Sequence, residues 1–315
     1  MRLVTFVHQA QERIGAVDAA GLIIDLHKAY SSYLREVESH SAADGFAEVV
    51  LGHNMVEFLK RGEQALKTAR TAVAHAEKNP AREFCLPRQQ IRLMAPVPRP
   101  GALISAGKNF SDHVSEMSSK KGPSAPVAFL KLPGSVIGPE DDIPHPPEVK
   151  HLDYEVELAI VIGKPCVDIG VDEALEYVVG YSTFNDISAR DVIRSENRNG
   201  IHLMGKSFPG FAPMGPYLVT VDEIPDPQKL KLWLNVNGEI RQDSNLSYMI
   251  FKIRDMIAYW SQMGLSPGDV LTTGTPRGVA AGRKPDQVPW WLKPGDIVEA
   301  EVENLGRLKN RIVAE

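Results

Sequence analysis

Three acidic residues alternate with apolar residues just before an apolar stretch of the chain. They are Asp153, Glu155 and Glu157, and the apolar stretch covers residues 158–162. Because alternate side chains of a strand lie on one face, we expect the three carboxylates to lie side by side. A hard divalent cation such as Mg²⁺, Mn²⁺ or Ca²⁺ would remove their mutual repulsion, since these ions prefer oxygen ligands. A strand with one solvated acidic face is the alternative interpretation.

A fourth acidic residue extends this set. Asp186 lies at the polar end of a predicted strand that begins at residue 181. Two carboxylates from one strand and one from another would hold a cation and leave positions open for water and substrate. Lys206 follows in a predicted loop between Gly205 and Gly210, from which its ammonium group could reach a bound anion. The alternative for Lys206 is a solvated loop lysine.

A histidine and a glutamate three residues apart form a second candidate group. Ser111 and Asp112 can start a helix there, which would place His113 and Glu116 on one face. A carboxylate beside an imidazole raises the basicity of the histidine, and such a pair can take a proton from water. The polar segment 118–124 follows, so we expect this short helix to move as a lid. An accidental surface pair is the alternative.

The elements that must position these residues form a mostly β pattern. Apolar strands broken by Gly and Pro are predicted at residues 127–132, 158–162, 218–221, 230–236, 269–272 and 297–302. Helical spacing in this part of the chain is confined to residues 171–179 and 248–260. Since strands and long helices do not alternate regularly, the pattern excludes a doubly wound sheet or a TIM barrel and predicts an α+β fold.

The first 95 residues have a different pattern. Short strands are predicted at residues 3–6, 14–17 and 22–26, and an amphipathic helix over residues 58–76. Three prolines between residues 96 and 100 favour an extended linker. We therefore predict a small N-terminal α/β domain over residues 1–95 and a larger, mostly β domain over residues 96–315.

The 315-residue chain has the composition of a globular protein, with 43% hydrophobic and 24% charged residues. Its 35 basic and 40 acidic residues give a net charge of -5, so bulk charge does not favour binding of nucleic acid. Two cysteines are too few for a disulfide framework. No apolar stretch approaches the roughly 18 residues of a membrane span. We expect a cytoplasmic protein that binds neither nucleic acid nor a membrane.

Five motifs taken in series resemble the fumarylacetoacetate hydrolase family, from about residue 95 to the end of the chain. The motifs are Gly107-Lys108-Asn109-Phe110 with His113 and Glu116, Asp153-Tyr154-Glu155-Val156-Glu157-Leu158, Asn185-Asp186-Ile187-Ser188-Ala189-Arg190-Asp191, Gly205-Lys206-Ser207-Phe208, and Thr273-Gly274-Thr275-Pro276-Arg277-Gly278-Val279. The resemblance implies a mixed β-roll catalytic domain, a homodimer, and Mg²⁺ or Mn²⁺ held by two glutamates and an aspartate. By position these ligands are Glu155, Glu157 and Asp186.

The resemblance leaves the reaction open, because family members hydrolyse acylpyruvates, decarboxylate oxaloacetate, isomerise hydroxymuconates or hydrate dienoates. In each case a cation bound to a 2-oxo acid stabilises an enolate. The pair of His113 and Glu116 favours hydrolysis, in which water attacks C4 of a 2,4-diketo acid to release pyruvate and a carboxylic acid. Lys206 would add positive charge, and Lys108 and Thr275 would bind the substrate. A decarboxylase, isomerase or hydratase of 2-oxo-dicarboxylates is the alternative, and a binding protein with an acidic strand is a third interpretation.

Two positions depart from the family pattern. Ile193 stands where several family hydrolases have a glutamine that contacts substrate. Ala106 stands where the eukaryotic hydrolase of tyrosine breakdown has a further aspartate ligand. The second difference favours the branch that acts on acylpyruvate-like substrates, and the first leaves the distal half of the substrate undefined.

Overall fold

The computed structural model of the chain describes residues 1–78, 80–117, 122–283 and 290–315. Residues 118–121, part of the predicted lid, lie outside these ranges. The strands are β1 (Arg2–His8), β2 (Gln11–Val17), β3 (Ile23–Asp25), β4 (Cys85–Leu86), β5 (Arg92–Leu93), β6 (Leu103–Gly107), β7 (Val127–Leu130), β8 (Val136–Ile137), β9 (Ile143–His145), β10 (Leu152–Asp153), β11 (Val156–Ile162), β12 (Val178–Asn185), β13 (Ser188–Ala189), β14 (Ala212–Thr220), β15 (Lys231–Val236), β16 (Glu239–Asn245), β17 (Val270–Thr272), β18 (Ile297–Val302) and β19 (Gly306–Ala314). The α-helices are α1 (Leu26–Glu36), α2 (Ala43–Leu51), α3 (Met55–Lys60), α4 (Glu63–Ala76), α5 (Ser111–Met117), α6 (Arg190–Asn197), α7 (Met204–Ser207) and α8 (Ile253–Ser261).

In the described residues, a mixed twelve-stranded sheet forms the centre of the fold. Its strands follow the order β4-β3-β2-β1-β14-β12-β11-β17-β6-β7, with β5 paired to β1 and β8 paired to β14. Within this sheet β17 runs parallel to β6, whereas β11 runs antiparallel to both of its neighbours. A second sheet has the order β16-β15-β18-β19-β9, and β10 and β13 form a two-stranded sheet. The predicted α+β fold, mostly β, is confirmed.

Strand β11 crosses the middle of the main sheet and is buried along its whole length. Its side chains alternate between two cores, with Leu158 and Ile160 in one and Ala159 and Val161 in the other. Both faces of the strand are therefore covered, which explains its continuous apolar run. Glu157 precedes this run inside the same strand, so the strand carries a carboxylate into the protein interior.

The first 95 residues extend the main sheet. Strand β1 pairs antiparallel with β14, and Leu3 lies opposite Leu218. Leu34 of α1 and Ala69 of α4 belong to the same core as Ala159 of β11. The domain boundary near residue 95 stays a prediction, to which the structure adds that the two parts of the chain share a sheet and a core.

Several predicted elements differ from those in the structure. The helix predicted over residues 171–179 is a turn of 3₁₀-helix, Ala174–Tyr177, followed directly by β12, whose first residues are buried and β-branched. The helix predicted over residues 58–76 is divided at Gly62, whose φ of 61° separates α3 from α4. The helix predicted from residue 248 begins at Ile253. Helices α1 and α2 have no counterpart in the prediction.

In the described part of the chain, no helix is both long and apolar enough to cross a membrane. The longest of these helices, α4, has 14 residues and contains lysine, arginine and glutamate. A membrane-spanning helix needs about 20 predominantly apolar residues.

Candidate active site

Three buried carboxylates meet where β11 begins and β12 ends. Glu155 directly precedes β11, Glu157 is the second residue of that strand, and Asp186 directly follows β12. Because β11 and β12 are paired, the two strand ends that carry the acids are adjacent. The backbone N–H of Asp186 donates to the Glu155 carbonyl oxygen at 2.8 Å. One carboxylate oxygen from each of the three residues lies within 4.8 Å of the others. The structure thus brings together the three residues predicted as ligands.

Asp153 lies outside this group of three, although Arg190 pairs with both Asp153 and Glu155. Strand pairing is interrupted after Asp153, because β10 ends there and β11 starts at Val156. The Asp153 carboxylate accepts hydrogen bonds from the backbone N–H groups of Ala280 at 2.7 Å and Ala281 at 3.1 Å. It also pairs with Arg190 at 2.8 Å. Asp153 therefore holds the loop at Ala280 and shares Arg190 with Glu155.

Lys206 is buried, and its ammonium group joins two of the three carboxylates. Nζ lies 2.6 Å from Glu155 Oε2 and 2.7 Å from Asp186 Oδ2. It also lies 4.8 Å from the centre of the Phe129 ring, which adds a cation–π contact. The predicted loop is instead the short helix α7, and the lysine is only 4% exposed. The solvated-lysine alternative is therefore wrong.

Two further cationic side chains complete the centre, and neither was predicted as a site residue. Lys131 Nζ lies 2.6 Å from Asp186 Oδ1, and Arg190 pairs with Glu155 as well as with Asp153. The sequence offers one signal for Lys131, which is a single lysine in an apolar segment. A lysine that is buried with such a segment needs a partner of opposite charge. Arg190 lies in the motif that contains Asp186. The direction in which its side chain points, toward Asp153 and Glu155, depends on the pairing of β10 with β13.

Burial and charge act against each other on the pKa values of these groups. Burial alone would raise the pKa of Glu155, but Arg190 and Lys206 hold it well below its usual range. Glu157 makes no ion pair with any described residue, and burial, followed by the charges of Asp186 and Glu155, raises its pKa well above the usual range. Burial would lower the pKa of Lys206, but Asp186 and Glu155 raise it. Glu157 is thus the carboxyl group that lacks a positive partner.

This donor set fits a hard divalent cation. All three groups offer oxygen, the ligand type that Mg²⁺, Mn²⁺ and Ca²⁺ prefer. Oxygens up to 4.8 Å apart can share one ion, since two metal–oxygen bonds of about 2.0 to 2.6 Å together span roughly 4 to 5 Å. A cation placed there would also provide the positive charge that Glu157 lacks.

Helix α5 brings His113 and Glu116 close together, but it does not join them by a hydrogen bond. His113 Nδ1 lies 3.8 Å from Glu116 Oε2, which exceeds hydrogen-bond length. The two Glu116 oxygens instead accept from the backbone N–H of Gly278, at 3.0 and 3.2 Å. Among the described residues, His113 Nδ1 has no hydrogen-bond partner. Glu116 therefore ties α5 to the Gly278 loop.

A cavity of about 620 Å³ opens above the carboxylates. The predicted site residues that line it are Lys108, His113, Glu155, Glu157, Lys206 and Thr275. Asp186 and Glu116 do not line this cavity. Ala106 and Ile193, the two positions that depart from the family pattern, also line the cavity and offer no polar side-chain atom.

Thr275 is fixed by hydrogen bonds within the protein. Its hydroxyl group donates to the Val156 carbonyl oxygen at 3.0 Å and accepts from Gln242 Nε2 at 2.9 Å. Gln242 Oε1 in turn accepts from the Val156 N–H at 2.9 Å. The hydroxyl group therefore holds the start of β11, and the contact of Thr275 with substrate stays a prediction. Sequence reasoning missed Gln242, which no local pattern marks.

Gly205 lets α7 approach α6, and replacing it with alanine is expected to displace Lys206. A Cβ atom there would lie 2.5 Å from Ile193 Cγ1 and 2.9 Å from the Ile193 backbone nitrogen. Overpacking of this kind costs about 1–3 kcal/mol, so Gly205→Ala should lower the free energy of unfolding and the activity. Gly45→Ala in helix α2 is the matched control, because its Cβ would meet nothing within 4 Å. It should stabilise the protein by about 0.4–1 kcal/mol. Denaturant titration measures both, and unchanged stability of Gly205→Ala would contradict this packing.

A mostly β chain that buries three carboxylates beneath a cavity has the architecture of an enzyme, since buried and charge-perturbed acids concentrate at catalytic sites. Comparison with known proteins supplies the family. Residues 102–313 match the family described as "Fumarylacetoacetate (FAA) hydrolase C-terminal". The chain belongs to the fumarylacetoacetate hydrolase family, and the resemblance inferred from the five motifs is confirmed.

The names of three similar proteins describe different activities. Oxaloacetate tautomerase Fahd2a, a mitochondrial protein of Rattus norvegicus, is 46% identical over 265 residues, covering 84% of this chain and 80% of the relative. The structure of fumarylacetoacetate hydrolase (EaFAH) from Exiguobacterium antarcticum is 31% identical, covers 100% of both chains and has a TM-score of 0.75. The structure of maleylpyruvate hydrolase from Sphingobium sp. SYK-6 is 27% identical, covers 100% of both chains and has a TM-score of 0.74. The family alone therefore does not select one reaction.

Proposed function

We propose that this chain catalyses the keto–enol tautomerisation of oxaloacetate or a similar 2-oxo-dicarboxylate, with Mg²⁺ or Mn²⁺ bound by Glu155, Glu157 and Asp186. The observation that carries the proposal is the convergence of these buried carboxylates with Lys206 at the base of the cavity. Positive charge at that place suits an anionic 2-oxo acid and the enolate derived from it. The rat relative at 46% identity is named oxaloacetate tautomerase, which favours this reaction within the family.

Tautomerisation moves one proton and leaves every other atom of the substrate in place. A base removes a proton from C3, the C2–C3 double bond forms, and the oxygen on C2 takes up a proton. A divalent cation held by the three carboxylates would supply positive charge that lowers the energy of the enolate. We assign the proton transfer at C3 to His113, which lines the cavity. Lys206 contributes a second positive charge at the cavity base.

The surroundings of His113 favour this reaction over hydrolysis. Water activation by a histidine–glutamate pair needs an imidazole held by the carboxylate, and the two groups are 3.8 Å apart. Transfer of a proton from C3 needs only a base that faces the substrate. Ile193, which replaces the glutamine of several family hydrolases, gives the cavity an apolar wall at that position.

Hydrolysis of the C3–C4 bond of a 2,4-diketo acid, the reaction that the sequence motifs favour, is the second candidate. The pair of His113 and Glu116 on α5 favours it, as does the similarity to maleylpyruvate hydrolase. In that reaction water adds hydroxide to C4 and a proton to C3, giving a carboxylic acid and pyruvate. Decarboxylation of oxaloacetate, which gives CO₂ and pyruvate, is a third outcome on the same scaffold.

Identification of the products separates these reactions. With Mg²⁺ or Mn²⁺ present, we expect the protein to accelerate the decay of the enol absorbance of oxaloacetate while total oxaloacetate stays constant. A hydrolase would instead release pyruvate from a 2,4-diketo acid, and a decarboxylase would release CO₂. EDTA should remove the activity and added Mn²⁺ should restore it. Activity that survives EDTA would contradict the metal site, and pyruvate release without faster tautomerisation would favour the hydrolase.

The homodimer and the cytoplasmic location stay predictions. Three apolar side chains are exposed on the edge strand β7 and just after it: Val127 by 44%, Leu130 by 56% and Leu132 by 52%. A second copy of the chain would cover this apolar edge. Analytical ultracentrifugation measures the oligomeric state. The rat relative is named as a mitochondrial protein. Imaging of the tagged chain in cells tests the predicted cytoplasmic location.

A further inference from the structure

Lys131 is a buried lysine outside the set of residues assigned to the reaction. It follows the edge strand β7, most of whose residues are exposed, yet its own side chain is inaccessible to solvent. Phe129, two residues earlier and on the same side of the strand, lies over the ammonium group of Lys206. The inner side of this segment therefore covers the group of carboxylates and lysines.

The ammonium group of Lys131 has three acceptors, which match its three N–H donors. They are Asp186 Oδ1 at 2.6 Å, the Ile187 carbonyl oxygen at 3.4 Å and the carbonyl oxygen of Lys206. The other oxygen of Asp186, Oδ2, accepts from Lys206 Nζ at 2.7 Å. Lys131 thus contacts both a carboxylate of the centre and the backbone that carries Lys206.

We propose that Lys131 is a positioning residue, which turns Asp186 Oδ2 and the ammonium group of Lys206 toward Glu155. The inference rests on the proposed metal site. Helix α7 has only four residues. Two hydrogen bonds attach it to the segment after β7: one from Lys131 Nζ to the Lys206 carbonyl oxygen, and one from the Leu132 N–H to Ser207 Oγ at 3.1 Å. Loss of the Lys131 bonds would free the Asp186 carboxylate to rotate and loosen α7.

Removal of the Lys131 charge has two opposite consequences for cation binding. A positive charge 2.6 Å from a carboxylate oxygen repels a cation on that carboxylate, so its loss alone would tighten binding. Loss of orientation would weaken binding, and removal of an outer-shell partner typically costs about 10- to 100-fold in metal affinity. The direction of the change therefore separates positioning from simple charge compensation.

Calorimetric titration of Lys131→Met with Mn²⁺ alone tests this inference. Methionine retains an unbranched apolar side chain and removes the ammonium group. We expect the Kd for Mn²⁺ to rise about 10- to 100-fold relative to the wild type, with a smaller Mn²⁺-induced rise in unfolding temperature. Lys164→Met is the matched control, because Lys164 is exposed, and it should bind Mn²⁺ like the wild type.

Unchanged or tighter Mn²⁺ binding by Lys131→Met would overturn the inference, whatever happens to activity. If that variant does not fold, Lys131→Arg replaces it, because arginine retains the charge and changes the geometry. Weaker Mn²⁺ binding by Lys131→Arg would support positioning, and wild-type affinity would overturn it. A wild-type protein that binds no Mn²⁺ would overturn the proposed function as well, so the two failures are distinguishable.

Discussion

Glutamine in place of Glu157 is expected to abolish measurable Mn²⁺ binding and to take turnover below detection. The amide retains an oxygen that can accept the hydrogen bond from the Gly274 N–H, now 3.0 Å from the carboxylate. It removes one of three anionic ligands, so the loss of affinity should exceed the roughly 10- to 100-fold typical of an outer-shell partner. Calorimetry with Mn²⁺ and assays of oxaloacetate tautomerisation measure the two effects.

The stability of Glu157→Gln separates loss of a ligand from misfolding. Burial and the charges of Asp186 and Glu155 disfavour an ionised Glu157 when no cation is bound. The neutral amide of the variant should therefore leave its unfolding temperature without metal no lower than that of the wild type. Mn²⁺ should raise the unfolding temperature of the wild type and leave that of the variant unchanged. Glu12→Gln, on an exposed position of β2, is the control that should respond to Mn²⁺ normally. Turnover of Glu157→Gln near the wild-type level after chelation would place the metal site elsewhere.

The three acidic residues of the centre were predictable because each lies at a strand end with a local signal. Glu155 and Glu157 alternate with apolar residues before the buried run of β11, and Asp186 directly follows β12, in which Ser182 and Thr183 interrupt the apolar residues. Alternation fixes the side of a strand on which a residue lies. The burial of β11 then follows from its continuous apolar run over residues 158–162.

The role of Asp153 was not predictable in the same way. The alternation that unites the two glutamates also includes Asp153, which shares Arg190 with Glu155 but is not one of the three grouped carboxylates. The break after Asp153 depends on its pairing with Ser188 of β13 and on the loop at Ala280. Both partners are distant in sequence, so no local pattern could reveal the break.

Long-range contacts also account for the other residues that sequence reasoning missed or misplaced. Lys131 lies 55 positions from Asp186, and Gln242 reaches Val156 across two different sheets. The spacing of His113 and Glu116 predicted that they share a face, but Gly278, 162 positions from Glu116, determines where the carboxylate points. Several strand positions were visible in the sequence, but β6, β16 and β19 have no counterpart in the prediction. The pairing of β1 with β14 was not visible either.

Asparagine in place of His113 is expected to reduce tautomerisation by about 10²- to 10⁴-fold, the usual contribution of a general base. The amide fills part of the space of the imidazole but cannot take up a proton from C3 near neutral pH. His113 is not among the three proposed ligands, so Mn²⁺ binding should stay at the wild-type level. Stopped-flow measurement of the enol absorbance and calorimetry with Mn²⁺ test these two expectations on the same variant.

Glu116→Gln is the matched variant, because it distinguishes a lone base from a water-activating pair. The amide oxygen of glutamine can still accept from the Gly278 N–H, so α5 should remain attached to its loop. Glu116 lies 3.8 Å from His113 and is hydrogen-bonded elsewhere. We therefore expect the rate of tautomerisation by Glu116→Gln to fall by less than 10-fold. Loss of a general base would lower that rate by at least roughly 10²-fold. Measurement of pyruvate release from a 2,4-diketo acid on both variants completes the test. Equal, large losses of hydrolysis on His113→Asn and Glu116→Gln, with tautomerisation unaffected, would assign the pair to water activation and make the hydrolase the function of this chain.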